Sequence, residues 1–196
     1  EQEVYEAVRE ALRVGYRSID TAMIYENEAG VGRALKDSGI PREDIFLTTK
    51  VWNKDQGYDQ TLAAFETSLQ KLGVDYVDLY LIHWPMPDED LYIETWRALE
   101  QLYRDGKTKS IGVSNFHIPH LQRVLEEGTI VPAVNQIELH PFLSQEAIRE
   151  FCQTNGIVVE AWSPLMKGRD ALTKPVITDI AAHHGKTPAQ VVLRWH

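Results

Sequence analysis

The stretch from residue 45 to residue 84, IFLTTKVWNKDQGYDQTLAAFETSLQKLGVDYVDLYLIHW, decides the fold. It begins and ends with short runs rich in β-branched and aromatic residues, which are typical of buried strands. Between these runs, apolar residues recur at helical spacing from residue 62 to residue 72, and Gly73 follows as a helix stop. We predict a strand, a helix capped by Asp59, and a second strand. The helical crossover predicts that the two strands are parallel.

The same alternation extends to both sides of this stretch. Strand-like runs separated by helical spacing occur at RSIDTA, IFLTTKV, VDLYLIHW, SIGVSN, AVNQIEL and IVVEAWS, and a helix precedes the first of them. This order predicts an α/β fold, either an open doubly wound sheet or a (β/α)8 barrel. A doubly wound sheet usually carries a glycine-rich phosphate loop after a strand. The nearest candidate, Gly30-Val-Gly32, lies inside a helical pattern and lacks the third glycine. We predict a single domain over residues 1–196.

Composition excludes several classes of protein. Apolar residues make up 43% and charged residues 25% of the 196 residues, which excludes a disordered chain. No apolar run is long enough to span a membrane. A net charge of −9 argues against the basic face that nucleic-acid binding needs. The single cysteine, Cys152, fits a reducing cytoplasm, where we expect the protein to be located.

Side chains that could take part in catalysis or ligand binding follow most of the predicted strands. The carboxyl ends of parallel barrel strands meet at one rim, where the active sites of this fold are built. Tyr25 lies five residues after the first of these strand ends. The residues at or just after the strand ends are Asp20, Lys50, His83, Ser114, Asn115, Gln136, Trp162 and Ser163.

Asp, Tyr, Lys and His together predict a catalytic site that donates a proton to a developing alkoxide. A free tyrosine, with a pKa near 10, is a poor acid at neutral pH, and a nearby lysine ammonium would lower that pKa. A carboxylate would keep the lysine charged, and a histidine would hold a carbonyl oxygen near the phenol. The set contains no nucleophile–base pair for hydrolysis and no metal-ligand pattern.

Six motifs, read in order, resemble the aldo-keto reductases. They are GYRSIDTAMIYENEAGVGRAL, FLTTKVWN, DLYLIHWP, IGVSNF, PAVNQIELHP and EAWSPL, and the look is closest to the bacterial 2,5-diketo-D-gluconate reductase type. The resemblance implies a (β/α)8 barrel that reduces aldehydes and ketones with NADPH and without a metal. It also implies that Tyr25 is the proton donor, that Lys50 and Asp20 tune it, and that His83 orients the carbonyl.

The resemblance further assigns residues to cofactor and substrate. Glu26 departs from the family pattern, since relatives often have glycine there. By resemblance, Trp52, Trp84 and His83 contact substrate, whereas Asp20, Ser114, Asn115, Gln136, Trp162, Ser163, Leu165 and Gly168 contact NADPH.

Two expectations concern the whole protein. By resemblance, the chain lacks the first strand and the eighth strand–helix unit, so we expect it to be truncated at both ends. A third possibility is that this fragment is itself inactive although its parent is an enzyme. The full-length protein is expected to be a monomer that acts on a small carbonyl compound, with neither nucleic acid nor membrane as a partner. The rival interpretation is an NADP(H)-binding barrel that serves as a redox sensor or partner-binding module with little turnover.

Overall fold

Two compact units make up the chain, Glu1–Ala133 and Val134–His196. The computed structural model describes residues 1–166 and 170–196. In both units, strands alternate with helices as the sequence predicts. No helix in these ranges is long and apolar enough to cross a membrane.

The first unit contains a parallel sheet. Its strands follow the chain order β1-β2-β3-β4. The strands are β1 (Ser18–Asp20), β2 (Phe46–Val51), β3 (Leu79–Ile82) and β4 (Ile111–Ser114). The helices are α1 (Gln2–Arg13), α2 (Glu28–Asp37), α3 (Tyr58–Leu72), α4 (Tyr92–Arg104) and α5 (Ile118–Glu127).

The register of this sheet brings the carboxyl ends of the first three strands to the same edge. Asp20 lies opposite Thr48, and Lys50 lies opposite Leu81. β3 is buried along its whole length. A short polar segment that follows any of these strands therefore emerges beside its neighbours, and this edge carries the side chains described below.

A close contact between α2 and α3 explains the glycine pair in α2. A Cβ atom on Gly32 would overlap the carbonyl group of Leu72 at the end of α3. Gly30 is similarly tight against Val4 of α1. The two glycines therefore serve helix packing, in agreement with the helical interpretation of Gly30-Val-Gly32.

The predicted helix starts are partly wrong. α3 begins at Tyr58 after Gly57, so Asp59 lies in the first turn and makes no cap. The Gly57 N–H instead donates to the Thr95 hydroxyl at 2.8 Å, a partner supplied by α4. Asp90 adopts a left-handed conformation two residues before α4. A tertiary contact is thus found at the start of α3 in place of the predicted local cap.

The second unit pairs its two strands in parallel. These are β5 (Val134–Glu138) and β6 (Val158–Trp162), and the helices are α6 (Glu146–Thr154), α7 (Pro175–His184) and α8 (Pro188–Trp195). α8 begins with a capping box: the Gln190 N–H donates to the Thr187 hydroxyl, and the Thr187 N–H donates to the Gln190 side chain.

Candidate active site

Three neighbouring strands deliver Asp20, Lys50 and His83 to one edge of the sheet. Asp20 is the last residue of β1, Lys50 is the penultimate residue of β2, and His83 directly follows β3. Successive side chains of a strand point to opposite faces, so Thr48 and Lys50 share one face while Thr49 lies on the other. The predicted convergence of these side chains is therefore present.

Lys50 and Asp20 form an ion pair. The Lys50 side chain is 1% exposed, and its Nζ donates to Asp20 Oδ1 and, at 3.0 Å, to the backbone carbonyl of Thr21. The Asp20 side chain keeps 34% of its surface exposed. A buried ammonium is costly unless a counter-charge and hydrogen-bond acceptors accompany it. Asp20 and the Thr21 carbonyl provide both for the buried Lys50 side chain.

Tyr25 reaches the same place through a short turn. A single turn of 3-10 helix, Met23–Tyr25, follows β1, and Glu26 then takes a left-handed φ of 53°. Lys50 Nζ lies 5.4 Å from the centroid of the Tyr25 ring, and the His83 ring meets that ring edge-on with centroids 5.7 Å apart. Tyr25 remains 49% exposed. The structure thus brings together the four residues predicted to be catalytic.

The pKa of Tyr25 is raised, whereas the sequence led us to expect a lowered one. Burial of part of the ring raises the pKa, and the negative charge of Asp20 raises it further. The Lys50 ammonium lies over the same ring and is bonded to Asp20, so charges of both signs are close to the phenol. Tyr25 is therefore protonated at neutral pH, which is the form that a proton donor requires.

His83 is neutral in this site. It is 8% exposed, and burial together with the Lys50 ammonium lowers its pKa to about 4, although Asp20 opposes this effect. Its Nδ1 is buried and has no hydrogen-bond partner in the described ranges. A neutral imidazole carries one N–H donor and one acceptor nitrogen. His83 can therefore donate one hydrogen bond to a carbonyl oxygen without bringing a charge.

The two tryptophans predicted to contact substrate flank His83. The Trp52 ring packs edge-on against the His83 ring with centroids 5.1 Å apart. Trp84 follows His83 in the chain and is 40% exposed. The side chain of Gln56, which is buried, donates to the Trp84 carbonyl at 2.7 Å and so joins the loops that carry both tryptophans.

Ser114 and Asn115 lie beside the backbone of His83. The Asn115 amide donates to the His83 carbonyl at 3.0 Å and to the Ser114 hydroxyl at 3.2 Å. Asn115 has a φ of 63°, a left-handed conformation that asparagine tolerates better than most residues. These two predicted cofactor residues therefore present a hydroxyl and an amide at the end of β4.

The remaining predicted cofactor residues belong to the second unit. Gln136 on β5 donates to the Glu160 carboxylate on β6 at 3.0 Å. Trp162 ends β6, and Ser163 follows with a left-handed φ of 49°. Leu165 is half-buried, and Gly168 lies outside the described residues.

A buried carboxylate that was not predicted from the sequence lies close to the site. Glu28, the first residue of α2, is 1% exposed and accepts hydrogen bonds from the hydroxyls of Thr49 and Ser68. A signal was present in the sequence. Glu28 is four residues from Gly32 and seven from Leu35, which places it on the apolar face of its helix.

Metal ligands are a separate question. Within residues 1–166 and 170–196, no group of three or more His, Cys, Asp or Glu side chains is arranged to hold a metal ion.

Comparison with known proteins gives consistent matches over the whole chain. A sequence model of the aldo/keto reductase family matches residues 1–196. Glyoxal reductase from Bacillus subtilis (strain 168) is 57% identical over 193 residues, which are 98% of this chain and 69% of that protein.

Solved structures agree with the sequence matches. A crystal structure of an aldo/keto reductase from Brucella melitensis is 57% identical, has a TM-score of 0.96, and aligns with 100% of this chain and 75% of its own. A variant of Gox0644 crystallised with NADPH is 53% identical, with a TM-score of 0.94 over 99% of this chain and 70% of its own. These matches confirm the predicted fold class, the α/β architecture of a (β/α)8 barrel.

Proposed function

Because the chain belongs to the aldo/keto reductase family, we propose that it reduces aldehydes and ketones to alcohols with NADPH and that Tyr25 donates the proton. One observation carries the assignment of Tyr25. The buried Lys50 ammonium, paired with Asp20, lies over the Tyr25 ring, and the His83 ring touches the same ring. Similarity to named reductases favours an enzyme over the redox-sensor or partner-binding alternative.

The residues at the end of β4 fit a nicotinamide cofactor. A carboxamide offers one N–H2 donor group and one carbonyl acceptor, and the Ser114 hydroxyl and Asn115 amide have the complementary chemistry. When bound, NADPH supplies the hydride. The roles of Gln136, Trp162 and Ser163 in binding it stay predictions, as does that of Leu165.

The proton path follows from the charges at the site. His83, neutral at physiological pH, donates a hydrogen bond to the carbonyl oxygen and fixes its position beside Tyr25. As negative charge develops on that oxygen, the Tyr25 hydroxyl gives up its proton. The Lys50 ammonium stabilises the phenolate that remains, and Asp20 is the counter-ion of Lys50.

The exposed side of the site favours small carbonyl compounds. Trp52 and Trp84 offer apolar surfaces next to His83, so we expect a compact aldehyde or ketone to lie against them. Glyoxal is the first substrate to test, because one relative bears the name glyoxal reductase. A monomeric state and a cytoplasmic location stay predictions.

The deciding experiment compares Tyr25→Phe with Tyr103→Phe. Tyr103 on α4 is likewise a half-exposed tyrosine of the first unit, so its substitution controls for the loss of a hydroxyl. Single-turnover hydride transfer from bound NADPH to glyoxal should slow by about 10²–10⁴-fold in Tyr25→Phe, the usual contribution of general acid catalysis. Tyr103→Phe should leave the rate unchanged. A Tyr25→Phe rate within about threefold of the parent would exclude Tyr25 as the general acid.

A further inference from the structure

Glu28 is a buried carboxylate that the proposed reaction does not use. Its two oxygens are bonded separately: Thr49 Oγ1 donates to Oε1 at 2.7 Å, and Ser68 Oγ donates to Oε2 at 3.2 Å. Burying a carboxylate is costly, and hydrogen bonds to it recover part of that cost. The position of Glu28 in the chain indicates what the burial of its carboxylate achieves.

The Glu28–Thr49 bond connects the two segments that must meet at the proton donor. Glu28 comes three residues after Tyr25, and Thr49 comes one residue before Lys50. The two segments are 21 residues apart in sequence. The carboxylate therefore ties the start of α2 to β2 on the face opposite the Lys50 side chain.

A second bond ties the same segment to β1. The Thr21 hydroxyl donates to the Asn27 side chain at 2.6 Å, and Thr21 directly follows Asp20. The turn that carries Tyr25 is thus attached to both strands of the ion pair. Glu28 adds an attachment on the Lys50 side, where Lys50 Nζ also donates to the Thr21 carbonyl and lies 5.4 Å from the centroid of the Tyr25 ring.

We propose that Glu28 is a positioning residue, which sets the acidity of Tyr25 by holding its turn at a fixed distance from Lys50 through Thr49. This inference rests on the proposed function, because it concerns the same proton donor. The charged and titratable groups that face Tyr25 are Asp20, Lys50 and His83.

The environment of Glu28 separates a positional effect from an electrostatic one. Its charge acts on Tyr80, whose fully buried hydroxyl has its pKa raised first by burial and then by Glu28 and Asp55. The shift at Tyr25 comes from burial and Asp20 instead. Glu28 therefore reaches Tyr25 through the backbone between them.

Two single-hydroxyl variants test the proposal. Thr49→Val and Ser68→Ala each remove one hydrogen bond to the same carboxylate, but only Thr49 is adjacent to Lys50. The readout is the pH profile of alcohol oxidation with NADP+, a reaction that requires Tyr25 as phenolate. In Thr49→Val we expect Lys50 to drift from Tyr25, so the kinetic pKa should rise by about one unit. Ser68→Ala should keep the parent pKa.

Glu28→Gln is the conservative variant, which should behave like the parent. A glutamine can accept from Thr49 and donate to Ser68, so it preserves both attachments without the charge. We expect its kinetic pKa to match the parent. Denaturant unfolding of each variant shows whether it is folded. Valine has nearly the same shape as threonine, so Thr49→Val should remain folded.

Several results would overturn the proposal. Parent-like pKa values in Thr49→Val, equal shifts in Thr49→Val and Ser68→Ala, or a shifted Glu28→Gln would each refute positioning through Thr49. If Tyr25→Phe abolishes turnover while Thr49→Val behaves like the parent, the inference fails and the proposed function stands. If Tyr25→Phe remains active, both fail, because the profile then does not report Tyr25.

Discussion

Replacing Lys50 with methionine should slow reduction without unfolding the protein. The Lys50 side chain is 1% exposed, so an unbranched apolar side chain of similar length fits its place. Asp20 loses its partner, but 34% of its side chain already meets solvent and can be rehydrated. The main consequence is electrostatic. The positive charge near the Tyr25 ring disappears, and the negative charge of Asp20 is no longer balanced.

The geometry gives the size of the effect. At 5.4 Å between the Lys50 ammonium and the Tyr25 ring centroid, a unit charge pair in a medium of effective dielectric constant about 20 interacts by about 3 kcal/mol. That corresponds to about two units in the pKa of Tyr25. If between half and all of the phenolate charge is present in the transition state, proton donation slows by about 10- to 100-fold.

The assay is single-turnover oxidation of bound NADPH by glyoxal, followed by loss of NADPH absorbance. Lys54→Met is the matched control, because Lys54 lies four residues away and is exposed. We expect Lys54→Met to behave like the parent. A Lys50→Met rate within about threefold of the parent, in a variant that unfolds at the parental denaturant concentration, would refute the electrostatic role of Lys50.

Three further predictions concern pH and stability. The pKa of His83 is lowered from 6.5 to about 4, so His83 should stay neutral during reduction at neutral pH. The folded state disfavours the protonated ring, so the free energy of unfolding should fall as pH drops from 6.5 towards 4. Equilibrium unfolding across this pH range measures that fall. Glu100→Ala should cost about 2–4 kcal/mol in denaturant unfolding, because Glu100 is buried and accepts from the backbone N–H groups of Thr129 and Ile130. Burial raises the pKa of Asp78, but hydrogen bonds from a backbone N–H and two cationic side chains outweigh it and lower the pKa, so parent stability should decline below pH 3.8 and Asp78→Asn should abolish that decline.

Sequence alone was sufficient for the order of elements and for the edge at which the site lies. Apolar periodicity is a local property, and helical crossovers force neighbouring strands to be parallel. Parallel strands end at one edge, so the positions of Asp20, Lys50 and His83 after their strands predicted that they would meet. The six motifs added the family, which the comparisons confirm. They also pointed to NADPH, the cofactor that a 53% identical relative binds in its crystal structure.

Which side chains form ion pairs and hydrogen bonds with one another depended on the tertiary structure. The sequence could place a lysine near Tyr25, but only the structure shows that its ammonium is bonded to Asp20. Only the structure shows, too, that burial and the charge of Asp20 raise the pKa of Tyr25. The cap predicted at Asp59 is absent for a similar reason, since Thr95 supplies the partner for Gly57 at the start of α3. In each case a side chain from a distant part of the chain competes with the local one.

Glu28 shows why such choices escape sequence analysis. Its partners lie 21 and 40 residues away, on a strand and on another helix. A glutamate in a helix is ordinarily solvated, and whether it is buried depends on which helix packs over it. Hydrogen bonds and charge interactions act over a few ångströms in space, whereas sequence patterns report neighbours along the chain. The sequence could therefore predict which residues of the candidate site meet, whereas packing set the electrostatics of that site.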